Sequence, residues 1–195
     1  MAIGAAVGFA ALLLSITRAP VVTAKEQQLK LDFEAVPSAS RAAYAEALRE
    51  AYGGADAKKK ENAKAMKARA RKFQTALKIF DGHAPVHHSV GVIYGQLAAK
   101  GGKVAPEAMR KARHHFKLAV EKLEESANEF RAIYAANYAQ AVYGVDAGPG
   151  MAHVKAALRL CVPEGGDTWP LPGPCKQIAE QLRLKSLEEI DADEL

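Results

Sequence analysis

Two cysteines and one tryptophan are all that the 195 residues hold of these types. The chain has no C-x-x-C pair, no C-x-x-C-H haem-attachment signal and no Cys/His spacing of the kind that binds zinc, so thiol-redox and structural-zinc chemistry have no sequence support. It also lacks G-x-S-x-G, a P-loop, a dinucleotide fingerprint and H-E-x-x-H, and with them the common acyl-transfer, phosphate and metalloprotease signatures. The glycine-rich pieces "GG", "GVDAGPG" and "PEGGD" follow helical stretches, where glycine ends a helix for conformational reasons. No catalytic residue, no cofactor and no metal site is therefore expected. Aromatic residues make up only 7% of the chain and β-branched residues do not cluster, which leaves no convincing strand. A content of 49% hydrophobic and 25% charged residues supports a packed all-α body and excludes general disorder.

Charge is also missing from the first seventeen residues, Met1 to Thr17. At about 1.5 Å per residue such a run crosses most of a bilayer's hydrocarbon core, with Arg18 able to snorkel to the interface. Residues 1–22 are expected to be a single transmembrane anchor. The competing reading is a cleaved signal, because Val22, Thr23 and Ala24 have the small-residue look of a cleavage site before Lys25. Basic residues lie only on the C-terminal side, at Arg18, Lys25 and Lys30, which places the body on the cytosolic, matrix or stromal side of an anchor.

Residues 23–37 read as a linker, residues 38–184 as one helical domain and residues 185–195 as an acidic tail. Ser38 or Ser40 is positioned to cap a first helix bearing Tyr44, Leu48, Ala51 and Tyr52 on one face. Asp56 is positioned to cap a long amphipathic helix in which Ala63, Met66, Ala70, Phe73, Leu77 and Phe80 recur at helical spacing. Pro85 opens a third helix with a stripe of Val86, Val90, Ile93, Tyr94 and Leu97, and Pro106 a fourth with Met109, Ala112, Phe116, Ala119, Val120 and Leu123. A fifth starts near Asn128 and ends in a turn at Gly144 to Gly150. Two short helices, Met151 to Cys161 and Lys176 to Leu184, flank the loop "VPEGGDTWPLPGPC".

In the third helix Val90 and Gly91 precede Tyr94, and in the fourth Ala112, Phe116 and Ala119 stand at spacings of four and three. A second copy begins at Tyr134 and Ala135 with Tyr138. This resembles the tetratricopeptide repeat (TPR), in which small residues let paired helices approach while aromatics fill the gap to the next repeat. The repeat of that family is about 34 residues, whereas Phe73 to Phe116 is 43 positions and Tyr94 to Tyr138 is 44. The excess falls in "KGGKVAPEA", at the turn between paired helices. The resemblance implies a helical domain that binds other proteins and has no catalytic machinery.

Lys60, Lys64, Lys67 and Arg71 line one side of the long helix, a face suited to an acidic partner or to anionic lipid headgroups. No aromatics are interleaved with these charges, which argues against nucleic acid. Trp169, between Thr168 and Pro170, is a second candidate partner-binding residue. Of the histidines, His87 and His114 lie at or beside apolar stripes and His83, His88, His115 and His153 on polar faces. Cys161 and Cys175 can form a disulfide in an oxidising lumen or remain thiols in a reducing compartment. The final "ADEL" resembles the endoplasmic-reticulum retrieval tetrapeptides.

These features combine into an expectation. The chain reads as a non-enzymatic accessory or assembly subunit of a multisubunit organellar membrane complex, respiratory or photosynthetic, in the mitochondrial inner or thylakoid membrane. Its partners are other protein subunits and membrane lipid. The alternative is a soluble luminal helical protein, either an extrinsic subunit of a thylakoid complex or an ER-retained TPR adaptor, exported by a cleaved segment.

Overall fold

The computed structural model describes residues 36–53, 62–102, 105–123, 128–145, 151–162, 171, 173–181 and 183–186. The predicted anchor, most of the linker, Lys60, Trp169 and nearly all of the acidic tail lie outside these residues. Among these residues seven helices follow a 3-10 turn at Ser38–Ser40: α1 (Arg41–Gly53), α2 (Ala63–Ile79), α3 (Ala84–Ala99), α4 (Ala105–Glu121), α5 (Asn128–Val145), α6 (Met151–Arg159) and α7 (Gly173–Gln181). There is no strand among the described residues, so the fold class is all-α. Among the same residues, no helix is long and apolar enough to cross a membrane.

Each helix packs chiefly on its neighbours in the chain, from α1 on α2 through to α5 on α6, and α7 returns to α5. The apolar interior forms one large cluster around α5 to α7 and a second around α2 to α4. Tyr138 touches both. A third, small cluster joins Val36, Tyr44 and Ala76. Val36 is fully buried there and its carbonyl accepts from Arg41 Nε at 3.0 Å, so the packed body takes in Val36 from the end of the predicted linker.

The chemistry of each helix sets its place. α2 and α4 carry many charges and bury one stripe each: Met66, Ala70, Phe73 and Ala76 in α2, and Met109, Ala112, Phe116, Ala119 and Val120 in α4. α3 contains no Asp, Glu, Lys or Arg, and every residue from Ala84 to Ile93 is buried. A helix without charged side chains can be covered on all sides at no ionic desolvation cost. Its buried Ser89 hydroxyl donates back to Pro85 O at 2.9 Å, which removes the cost of an unpaired polar group.

Several helix ends differ from the sequence expectation. α2 is capped by Asn62, whose side chain accepts from Ala65 N, and not by Asp56. The helix runs out at Ile79 and leaves Phe80, the last residue of the expected stripe, extended with φ −150° and ψ 118°. α5 continues through Gly144 to Val145. α7 begins at Gly173, earlier than Lys176, because Pro174 is suited to the first turn. It ends with Arg183 at φ 59°, Leu184 N donating to Ala179 O and Arg183 N donating to Glu180 O. That pair of bonds is a Schellman closure, and Leu184 packs onto the neighbouring apolar cluster. After α3, Gly101 and Gly102 take φ of 75° and 79°, a left-handed pair that side-chain-bearing residues adopt only at a cost.

Candidate functional site

The densest gathering of chemistry-bearing side chains lies where α2, α3 and α4 meet. His87 Nε2 donates to the Asp81 carbonyl at 2.8 Å, and its Nδ1 faces His115 Nδ1 at 3.1 Å. With His87 protonated on Nε2, its Nδ1 is the acceptor and His115 Nδ1–H the donor. The His115 ring lies nearly parallel to Tyr94, with centroids 6.2 Å apart. Tyr94 Oη accepts from Gln74 Nε2 at 3.1 Å, and Lys111 Nζ stands 5.4 Å from the Tyr94 ring centroid. On the far side of the group, Lys122 pairs with Asp81 at 3.4 Å. The chain of contacts ties α2, α3 and α4 together.

Two further histidines are built into the packing. Tyr44 Oη donates to His83 Nδ1 at 3.0 Å, joining α1 to the segment before α3. His88 is buried, accepts from Asn137 Nδ2 on Nε2 at 2.8 Å and stacks on Tyr134 with centroids 4.2 Å apart. Burial holds the His83 imidazole down to about 4, with the nearby His87 adding to it. Burial likewise holds His115 at about 3, helped by His87, His114 and Lys111. Burial also lowers His87, against the Asp81 carbonyl bond that favours its protonated form. Tyr44 is raised by burial, with Tyr52 adding to it. Burial thus keeps His83, His87 and His115 in the neutral form at pH 7, and His83 Nε2 is buried without a hydrogen-bond partner.

This arrangement corrects two sequence expectations. His114 is exposed, and His115 is the histidine turned inward; counted at about 100° per residue from Ala112, position 115 lies beside the stripe and position 114 opposite it. His88 sits opposite the Val86, Val90 and Ile93 stripe yet is buried, because α3 has a second buried face that meets Asn137 and Tyr134 of α5. No group of three or more His, Cys, Asp or Glu among the described residues is arranged to hold a metal.

The small and aromatic residues singled out in the sequence, Gly91, Tyr94, Ala112, Phe116, Ala119, Ala135 and Tyr138, are all buried or half-buried. A Cβ on Gly91 would lie 2.6 Å from Phe116 Cδ1 and Cε1, and Phe116 is fully buried. Ala112, Ala119 and Ala135 are completely covered, whereas Tyr94 and Tyr138 are half-buried. Gly91→Ala is expected to cost about 1–3 kcal/mol, because the enclosed ring cannot swing aside. Lys117→Ala, on the exposed face of α4, should stay within about 0.5 kcal/mol. Equal urea midpoints for the two variants would show that α3 and α4 do not meet at Gly91.

The outer face of α2 is different in kind. Lys64, Lys67, Arg71 and Lys78 are exposed, and α2 contains no Asp or Glu at all. In α4, by contrast, Glu107 pairs with Arg110 at 2.9 Å and Lys111 at 3.5 Å, and Lys117 with Glu121 at 3.5 Å. The cations of the α2 face have no such carboxylate among the described residues.

No protein-family model, curated protein or solved structure matches this chain.

At the other end of the molecule, Cys161, just beyond α6, is bonded to Cys175 in α7, with Cα atoms 6.5 Å apart. Both are buried. Sequence reasoning identified the basic face, the pairing of the two cysteines as one of two states, and the small and aromatic residues between helices. It missed the partnership of His83 with Tyr44 and of His88 with Asn137, for which linear spacing carries no signal.

Proposed function

We propose that this chain is a non-enzymatic accessory or assembly subunit of a multisubunit membrane complex, docking through a TPR-like helical array. The observation that carries the reading is the division of its polar chemistry. The imidazoles of His83, His87, His88 and His115 bond to one another and to the protein's own carbonyl, hydroxyl and amide groups, whereas the exposed cations of α2 have no carboxylate partner among the described residues. Lys60, Lys64, Lys67 and Arg71 form one docking surface, and the loop carrying Trp169 supplies the second. The apolar segment 1–22 holds the subunit at the membrane.

The Cys161–Cys175 bond supports a second reading, in which the body works in an oxidising lumen after export. Either reading makes it a protein that acts by contact. The test replaces Lys60, Lys64, Lys67 and Arg71 by Glu together with Trp169→Ala, and then quantifies the subunit retained on the purified host complex. Retention is expected to fall at least about tenfold, since one interface tryptophan alone contributes about 2 kcal/mol or more. Normal retention would reject both surfaces.

A further inference from the structure

The exposed cations of α2 are not explained by the stability of the helix that carries them. The N-terminal end of a helix is electropositive and favours acidic side chains. α2 has none in its first turn and places Lys64 there instead. α4 follows the ordinary rule, with Glu107 in its first turn. Along α2 the cations Lys64, Lys67, Arg71 and Lys78 fall within one arc opposite Met66 and Phe73, and they extend over about 21 Å. The sequence adds Lys58, Lys59 and Lys60 just ahead of this helix.

We propose that this face of α2 lies on an anionic bilayer surface. The inference rests on the docking reading above and assigns a lipid partner to one of its two surfaces. Protein interfaces are depleted in lysine and are anchored by large aromatic side chains or arginine at their centre. Between its charges the stripe shows only Ala68 and Thr75, both exposed and small, so it offers no aromatic anchor, and three of its four cations are lysines with Arg71 the one arginine. No aromatic side chain is interleaved with these charges for bases to stack on, which disfavours nucleic acid. Headgroup phosphates need only positive charge at the right height, and lysine supplies it as a flexible point charge. The apolar segment at residues 1–17 keeps the body close to a bilayer, so each cation meets headgroups at high effective concentration.

The full chain is reconstituted with an environment-sensitive fluorophore on Thr75→Cys, on the exposed side of α2, and with a second preparation labelled at Lys176→Cys on α7. Vesicles of phosphatidylcholine alone are compared with vesicles containing phosphatidylglycerol, each with a headgroup-attached quencher. Quenching at position 75 is expected only with phosphatidylglycerol and should be lost at high ionic strength, with no response at position 176. Adding Lys64→Glu, Lys67→Glu, Arg71→Glu and Lys78→Glu should weaken the contact about a thousandfold, at about 1 kcal/mol per charge. Equal quenching in the two lipids would overturn the proposal. So would protection of position 75 by polyglutamate with no lipid response, which would assign the face to an acidic protein. The lipid comparison on the unaltered stripe decides the matter even if the fourfold variant fails to fold. No partner protein is present, so a negative result here leaves the docking reading standing.

Discussion

Lowering the pH from 7 to 5 is expected to destabilise the helical body by on the order of 3 kcal/mol, before most of its carboxylates titrate. An imidazole in the unfolded chain takes a proton near pH 6.5, whereas burial keeps His83 neutral down to about 4 and His115 down to about 3. In that window the unfolded state binds more protons, so stability is present above about 6.5 and drains away as the pH falls towards 4. His87, also lowered by burial, adds to the loss. The bond between His87 Nδ1 and His115 Nδ1 has no arrangement that accommodates two cationic rings. Urea midpoints measured at pH 7, 6 and 5 test this, with His115→Phe expected to flatten the curve. A midpoint independent of pH over that range would show that these imidazoles are not buried neutral.

Breaking the Cys161–Cys175 bond is the second large effect. The two cysteines are 14 residues apart, and closing a loop of that size restricts the unfolded chain by about 3 kcal/mol. The double replacement Cys161→Ser, Cys175→Ser should therefore lower the melting temperature by roughly 10 °C. The buried hydroxyls add to the loss, since both positions are covered by apolar side chains. Reductant added to the unaltered protein should give most of the same shift. Unchanged melting with reductant, together with two thiols that label in the native protein as isolated, would remove the support for an oxidising compartment.

Much of this fold was legible because helical periodicity survives in the charged helices. The centres of both stripes were read correctly, Met66, Ala70 and Phe73 in α2 and Met109, Ala112, Phe116, Ala119 and Val120 in α4, since a helix with one wet face must sort its residues by polarity; their ends were not, because Ala63 is exposed and Phe80 lies beyond the helix, while Arg69 and Ala76 are buried. α3 has no wet face. Its uncharged sequence has little amphipathic contrast to read, so the burial of His88 and its bond to Asn137, 49 positions away, had no local signal. The boundary errors have similarly local causes. Asp56 and Asn62 are both competent caps, and Gly144 both ends helices and is tolerated within one at about 1 kcal/mol. The basic face of α2 was visible from charge spacing alone, but its lack of internal carboxylate partners emerged only when the ion pairs of α4 stood beside it.

The neighbour-on-neighbour order of the helices has a kinetic meaning. Contacts formed between adjacent segments close short stretches of chain, and the entropy of closure grows only slowly with their length. Such topologies belong to the fast-folding class, in microseconds to milliseconds. α7 is the exception, because it reaches back past α6 to α5. The bond from Cys175 to Cys161 ties α7 to the end of α6, so the farthest-reaching helix searches for its place on a short leash.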